Sequence, residues 1–104
     1  MAEVRWTPQA ADDLGAIAEL IAQDSPHYAS LFVMDVLAAV ERAGDFPFSG
    51  RVVPETRNPA LREIVLGHYR IIYRARPDLV EVLTVYHGAR LLDPSRVQTE
   101  GPPI

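Results

Sequence analysis

Two dipeptides of the same kind, Thr7-Pro8 and Ser25-Pro26, constrain this chain more than any other feature. In each, a hydroxyl able to accept from the orphan N–H groups of a first helical turn precedes a proline whose fixed φ suits that turn, so each marks a helix start. After Pro8 the apolar positions Ala11, Leu14, Ile17, Ala18 and Ile21 recur at helical spacing, with Asp12, Asp13 and Glu19 off the stripe. After Pro26 the stripe is Ala29, Phe32, Val33, Val36, Leu37 and Val40, and Gly44 is the expected stop. Two helices with so short a link fold back as an antiparallel hairpin.

The rest of the chain has strand chemistry. "EVRW" (3–6) alternates in polarity, and "LREIVLG" (61–67), "HYRIIYRA" (68–75) and "LVEVLTVYH" (79–87) are rich in β-branched and aromatic residues, divided by Gly67 and by "RPD". "DFPFSGR" (45–51) connects the halves, since Pro47 and Gly50 forbid regular structure, and Phe46 and Phe48 are expected under the sheet. The expected fold is α+β in the order β-α-α-β-β-β, a helix hairpin packed on one face of a small antiparallel sheet whose other face is partly open to solvent. The 104 residues hold one core. Residues 1–92 are read as a single domain and 93–104, "DPSRVQTEGPPI", as a flexible tail, since its prolines and glycine accompany almost no periodic apolar residues.

Charge divides the chain. Residues 1–50 set two arginines against eight carboxylates, and residues 51–96 set eight arginines against five. Every basic residue is arginine, the group suited to flat bidentate contact with carboxylate or phosphate. Strand alternation puts Arg70, Ile72 and Arg74 on one face and Tyr69, Ile71, Tyr73 and Ala75 on the other. Since buried unpaired guanidinium is intolerable, the arginine face must be wet or complemented by acids such as Glu63 and Glu81. A cross-strand Arg-Glu ladder is one reading of Arg74 and Arg76, and a binding role is the other.

Several chemistries are excluded or unsupported. Without cysteine there is neither a disulfide nor a thiolate metal site. His27, His68 and His87 lack the i, i+4 spacing of a metal-binding helix, so no metal is expected, and no cofactor motif is present. Asp12 and Asp13 are adjacent and point apart on a helix, which makes a poor acid–base pair. "MAEVRWTPQ" has no apolar leader region and the longest apolar run, "LFVMDVLAAV", is too short to span a bilayer and contains Asp35, so a cytoplasmic location without membrane contact is expected.

The series "LREIVLGHYRIIYRA" and "VEVLTVYHGARLL" resembles the C-terminal half of the RelE/ParE superfamily of toxins from type II toxin–antitoxin modules. The pattern is Leu61-Arg62-Glu63, then Gly67-His68-Tyr69-Arg70-Ile71-Ile72-Tyr73, then His87-Gly88-Ala89-Arg90. "WTPQAADDLGAIAELIAQDSPHYA" is similar to the family's opening and "FPFSGRVVPE" to its P-x-x-G-R-x-x-P-E connector. The resemblance implies a strand, two-helix, three-strand fold, a bacterial cytoplasmic protein and a ParD-like or RelB-like antitoxin that wraps it, with DNA contacted only through that antitoxin.

Two modes of action come with the family. RelE-like members cleave messenger RNA on the ribosome, which here would engage Arg62, Arg70, Tyr73, His87 and Arg90. ParE-like members poison DNA gyrase without chemistry of their own, and Arg62, Arg70, Tyr73, Arg74, His87 and Arg90 would then contact target or antitoxin. The residues lean toward ParE. No lysine exists, the tail after Leu92 has no tyrosine, and a chain of charge −4 and pI near 5.2 is a poor match for a polyanion. His87 or Tyr73 could still move protons, which keeps the ribonuclease open, and a third reading is an inactive member that only binds antitoxin in operon autorepression.

Overall fold

The computed structural model describes residues 1–88. Arg90 and the 93–104 tail lie outside the described residues. The elements are β1 (Glu3–Trp6), α1 (Pro8–Asp24), α2 (Pro26–Asp45), β2 (Arg51–Val52), β3 (Leu61–Leu66), β4 (Tyr69–Arg76) and β5 (Leu79–His87).

Both proline-marked starts are where their chemistry places them. Thr7 Oγ1 accepts from the Ala10 N–H at 3.1 Å, and Ser25 Oγ accepts from Tyr28 at 3.2 Å. Ser25 also ends α1, its own N–H donating to Ile21 O, so one residue closes the first helix and opens the second. Thr7 is buried and its N–H donates to Val82 O, which locks the start of α1 to β5.

The sheet order is β1-β5-β4-β3-β2. β3, β4 and β5 form an antiparallel meander. Its first hairpin turns at Gly67-His68 between the paired Leu66 and Tyr69, and Gly67 has φ of +60°. Glycine at the first central position meets that requirement without a Cβ penalty. Two features differ from the expectation. β1 pairs parallel to β5, with Glu3 opposite Leu79 and Trp6 opposite Val82, so the sheet is mixed. β2, a fifth strand of two residues, pairs antiparallel with β3.

Between hairpin and sheet lies the main core, built from Ala10, Val36, Ala39, Val40, Ile71, Val82 and Val85. Burying each of its larger side chains contributes about 1.5–3 kcal/mol. Tyr73, Ala75 and Val80 extend it toward Ala2 and Ala43. Gly44 is not the helix stop: α2 continues to Asp45, and the absent side chain of Gly44 lets β1 approach, since a Cβ there would lie 3.1 Å from Val4 and 3.5 Å from Ala2 O. Phe46 and Phe48 are not under the sheet either. They are 71% and 46% exposed, because the connector turns back beside α2 before reaching the sheet edge.

Nor is the far face of the sheet open. Val53, Leu61, Ile72 and Leu83 form a second buried cluster there, with Tyr86 against it, and Val53 belongs to the segment that joins β2 to β3. In that segment Arg57 has φ of +52°, a left-handed conformation that strains a residue with a Cβ. Arg57→Gly should therefore raise stability by about 0.5–1 kcal/mol, after the entropy cost of glycine in the unfolded chain, and shift the urea midpoint upward.

Candidate functional site

On the far face an arginine cluster is built from four elements. Arg70, in the middle of β4, donates from Nη1 and Nη2 to the two carboxylate oxygens of Glu55, each at 2.9 Å. Its Nε donates to Glu63 Oε1 at 2.7 Å, and Nη2 also contacts that oxygen. The other oxygen of Glu63 accepts from Arg51 Nε at 2.6 Å and contacts Arg51 Nη2. The result is a chain of alternating charge, Arg51, Glu63, Arg70, Glu55, that ties β2, β3, β4 and the β2–β3 segment together. The Glu63 side chain is fully buried and that of Arg70 is 10% exposed.

The ring of Tyr86 lies under the Arg70 guanidinium, 5.2 Å from Cζ to centroid. Its position follows from the register, which sets Arg70 opposite Tyr86. The hydrogen bonds to Glu55 raise Arg70 further above the already high guanidinium range. Burial raises the Tyr86 phenol, partly opposed by the Arg70 charge. Arg74, further along β4, faces Glu81 on β5 at 3.8 Å, an ion pair too long for a hydrogen bond. Arg76 ends the strand, exposed.

The other residues singled out in the sequence do not join this cluster. Tyr73 points to the helix side and is fully buried, donating to Pro47 O at 2.9 Å and accepting from the Gly50 N–H at 3.0 Å. It is an anchor for the connector and has no surface to offer a target. Arg62, opposite Tyr73, donates to the carbonyls of Pro59, Phe48 and Gly50 and lies over the Phe48 ring at 5.2 Å. His87 pairs with Tyr69, meets its ring edge-on at 5.4 Å and stacks on His68 at 6.2 Å, while Tyr69 packs on Phe32 of α2. Since directly opposed residues share a face, Arg70 with Tyr86 and His87 with Tyr69 occupy opposite faces of the sheet.

Two consequences follow for chemistry. Arg70 and Arg74 do not form a free basic surface, because carboxylates of the same chain already face them. And the cation and the histidine that phosphate cleavage would combine are separated by the sheet. Sequence reasoning missed Glu55, Arg51 and Tyr86 as members of the cluster. The signal for Glu55 and Arg51 lay in the G-R-x-x-P-E spacing of the connector, which names both residues without showing which strand they turn toward. Among the described residues, no group of three or more histidines or carboxylates converges to hold a metal ion, and no helix is long and apolar enough to cross a membrane.

Comparison with known proteins agrees with this architecture. Residues 4–92 match the model of a family described as the ParE toxin of the type II toxin–antitoxin system parDE. The toxin RelE2 of Caulobacter vibrioides is 36% identical over 92 residues, which span 88% of this chain and all of the relative. A structure described as a chromosomal ParDE system from P. aeruginosa superposes with a TM-score of 0.68 at 23% identity, covering 84% of this chain and 96% of that one. The toxin–antitoxin complex RelBE2 of Mycobacterium tuberculosis gives 0.56 at 22%, covering 83% and 96%. The two structures speak for the fold, and the sequence matches reach further. The chain belongs to the ParE/RelE family of toxins of type II toxin–antitoxin systems.

Proposed function

We propose that the chain is a ParE-like toxin that arrests growth by poisoning DNA gyrase through protein contact, in the cytoplasm, and that a cognate antitoxin neutralises it. The observation that carries this reading is the separation of Arg70 from His87. A ribonuclease of this size would gather its phosphate-holding cations and its proton-transfer group around one phosphate, within hydrogen-bond reach of it. Here Arg70 is held bidentate by Glu55 on one face, His87 stands on the other, Tyr73 is buried and lysine is absent. A protein-binding poison needs only a complementary surface.

Arg70 and Arg74 would enter an antitoxin interface by exchanging Glu55 or Glu81 for a carboxylate of the partner. The family match and the toxin–antitoxin complexes among the structural neighbours support an antitoxin as that partner.

The test mixes antitoxin-free protein with purified gyrase, supercoiled plasmid and ATP, followed by detergent and protease. Linear plasmid that requires both proteins is the expected result. One observation favours the ribonuclease instead, the RelE name of a relative 36% identical to this chain. Intact plasmid together with cleaved transcripts in growth-arrested cells would establish that reading, and absence of growth arrest would indicate an inactive antitoxin-binding member.

A further inference from the structure

β1 forms the edge of the sheet remote from β2, and neither the arginine cluster nor the toxin reading uses it. Parallel pairing with β5 takes up alternate residues. The Glu3 N–H donates to Asp78 O at 3.0 Å and the Thr7 N–H to Val82 O at 3.1 Å, so residues 3, 5 and 7 turn their backbone groups inward. Val4 and Trp6 turn theirs the other way, toward an edge that no other strand covers among the described residues. The edge closes only at its start, where the Ala2 N–H donates to Gly44 O of α2 at 2.9 Å. Outward N–H and C=O groups of this kind are a template for an added strand.

A row of alternating charge on the far face ends at the same edge. One line of the register holds Arg74 on β4, Glu81 on β5 and Arg5 on β1. Arg74 and Glu81 are both largely buried and stand 3.8 Å apart, whereas Arg5 is more than half exposed. Its Nη2 lies 3.2 Å from Glu3 Oε2, two residues back on the same strand and equally exposed, and an ion pair so wet contributes little. The next position in the row falls beyond this chain.

We infer that two copies of this chain pair through β1, antiparallel about a two-fold axis at Val4, so that their five-stranded sheets join into one. Backbone and charge select this register independently. With its N–H and C=O outward, Val4 forms a reciprocal hydrogen-bonded pair with Val4 of the second copy. Glu3 then lies opposite Arg5 of the second copy, and Arg5 opposite its Glu3, in the closer non-hydrogen-bonded positions and all on the far face. The row of charge continues without a break, from Arg74 through Glu81 and Arg5 to Glu3 of the second copy. An axis at Glu3 or at Arg5 would also satisfy backbone alternation, but it would set glutamate against glutamate or arginine against arginine. Trp6 falls opposite Ala2, a residue small enough to lie beside an indole. An acidic or a basic strand of another protein would satisfy one of the two charges and oppose the other, whereas a second copy satisfies both. The inference concerns self-association at the edge remote from β2 and holds whether the toxin acts on gyrase or on RNA.

The test is sedimentation equilibrium of the full-length, antitoxin-free protein from micromolar to millimolar concentration, where the mass should rise from 11.5 kDa toward twice that value. Glu3→Arg and Arg5→Glu should each weaken self-association by about tenfold or more, since like charges then face each other at both symmetric positions. An equimolar mixture of the two variants should associate about as strongly as the wild type, because each supplies the charge the other lacks. Both side chains are exposed, so both variants should keep the fold, which circular dichroism and the melting midpoint verify. A mass of 11.5 kDa at millimolar concentration, unchanged association in either variant, or a mixture that associates no better than the variants alone would each overturn the inference.

Discussion

Glu63→Gln should cost about 3 kcal/mol of folding stability, because it removes one charge from the centre of a buried ion-pair chain and leaves two guanidinium groups facing an amide. The Glu63 side chain is fully buried and serves Arg51 through one oxygen and Arg70 through the other. The amide can accept at only one of these positions and presents N–H to the other. Most of the loss arises at Arg70, which is 10% exposed, while Arg51 is 65% exposed and water screens its share. Glu55→Gln should cost clearly less, since Glu55 is 23% exposed and solvent can replace its contact. A double variant, Glu63→Leu with Arg70→Met, should be milder than Glu63→Gln alone, since the buried pair is replaced by apolar groups of similar size and the charges left behind, Arg51 and Glu55, are ones that water reaches. Urea midpoints of the three variants, measured at the same pH, decide the matter. If Glu63→Gln unfolded at the wild-type midpoint, the cluster would have no structural role.

The second large effect is expected at Gly50, where a Cβ would stand 2.6 Å from the Tyr73 hydroxyl and 2.9 Å from the Glu63 carbonyl oxygen. Neither neighbour can easily retreat. Tyr73 is held between Pro47 O and the Gly50 N–H, and the Glu63 carbonyl belongs to β3. Gly50→Ala should therefore destabilise by about 3 kcal/mol, combining overpacking with loss of the tyrosine's hydrogen bonds. Adding Tyr73→Phe removes the nearer obstacle, so the double variant should lose less than the sum of the singles.

What could be read from residues alone follows the range of the interactions involved. Helix starts at Thr7 and Ser25 are set by atoms three residues away, and both were legible. So were the strands of the meander and the face on which Arg70 and Arg74 lie, since alternation is local. β2 was not, because two residues ahead of Pro54 are too few to show a period. The parallel pairing of β1 with β5 joins positions 3 and 79, and no local pattern reports it. The exposure of Phe46 and Phe48 escaped for the opposite reason: large apolar side chains suggest burial, yet the path of the connector decides. At the candidate site, Glu63 was named as a possible complement to the arginine face, but Glu55 sits in an irregular segment where periodicity assigns no direction.

The place of β1 has a temporal consequence. The strand made first is hydrogen-bonded to the strand made last among the described ones, and β5 lies between β1 and β4 in the finished sheet. During synthesis the N-terminal strand and the helix hairpin emerge with their apolar faces uncovered, and no partial product contains the surface they require. Sheet completion must wait until β5 has left the ribosome, and contacts of such long sequence separation form slowly. The cell thus has an interval in which this chain exists without its folded surface, and within which a protein that captures it would meet an unfinished molecule.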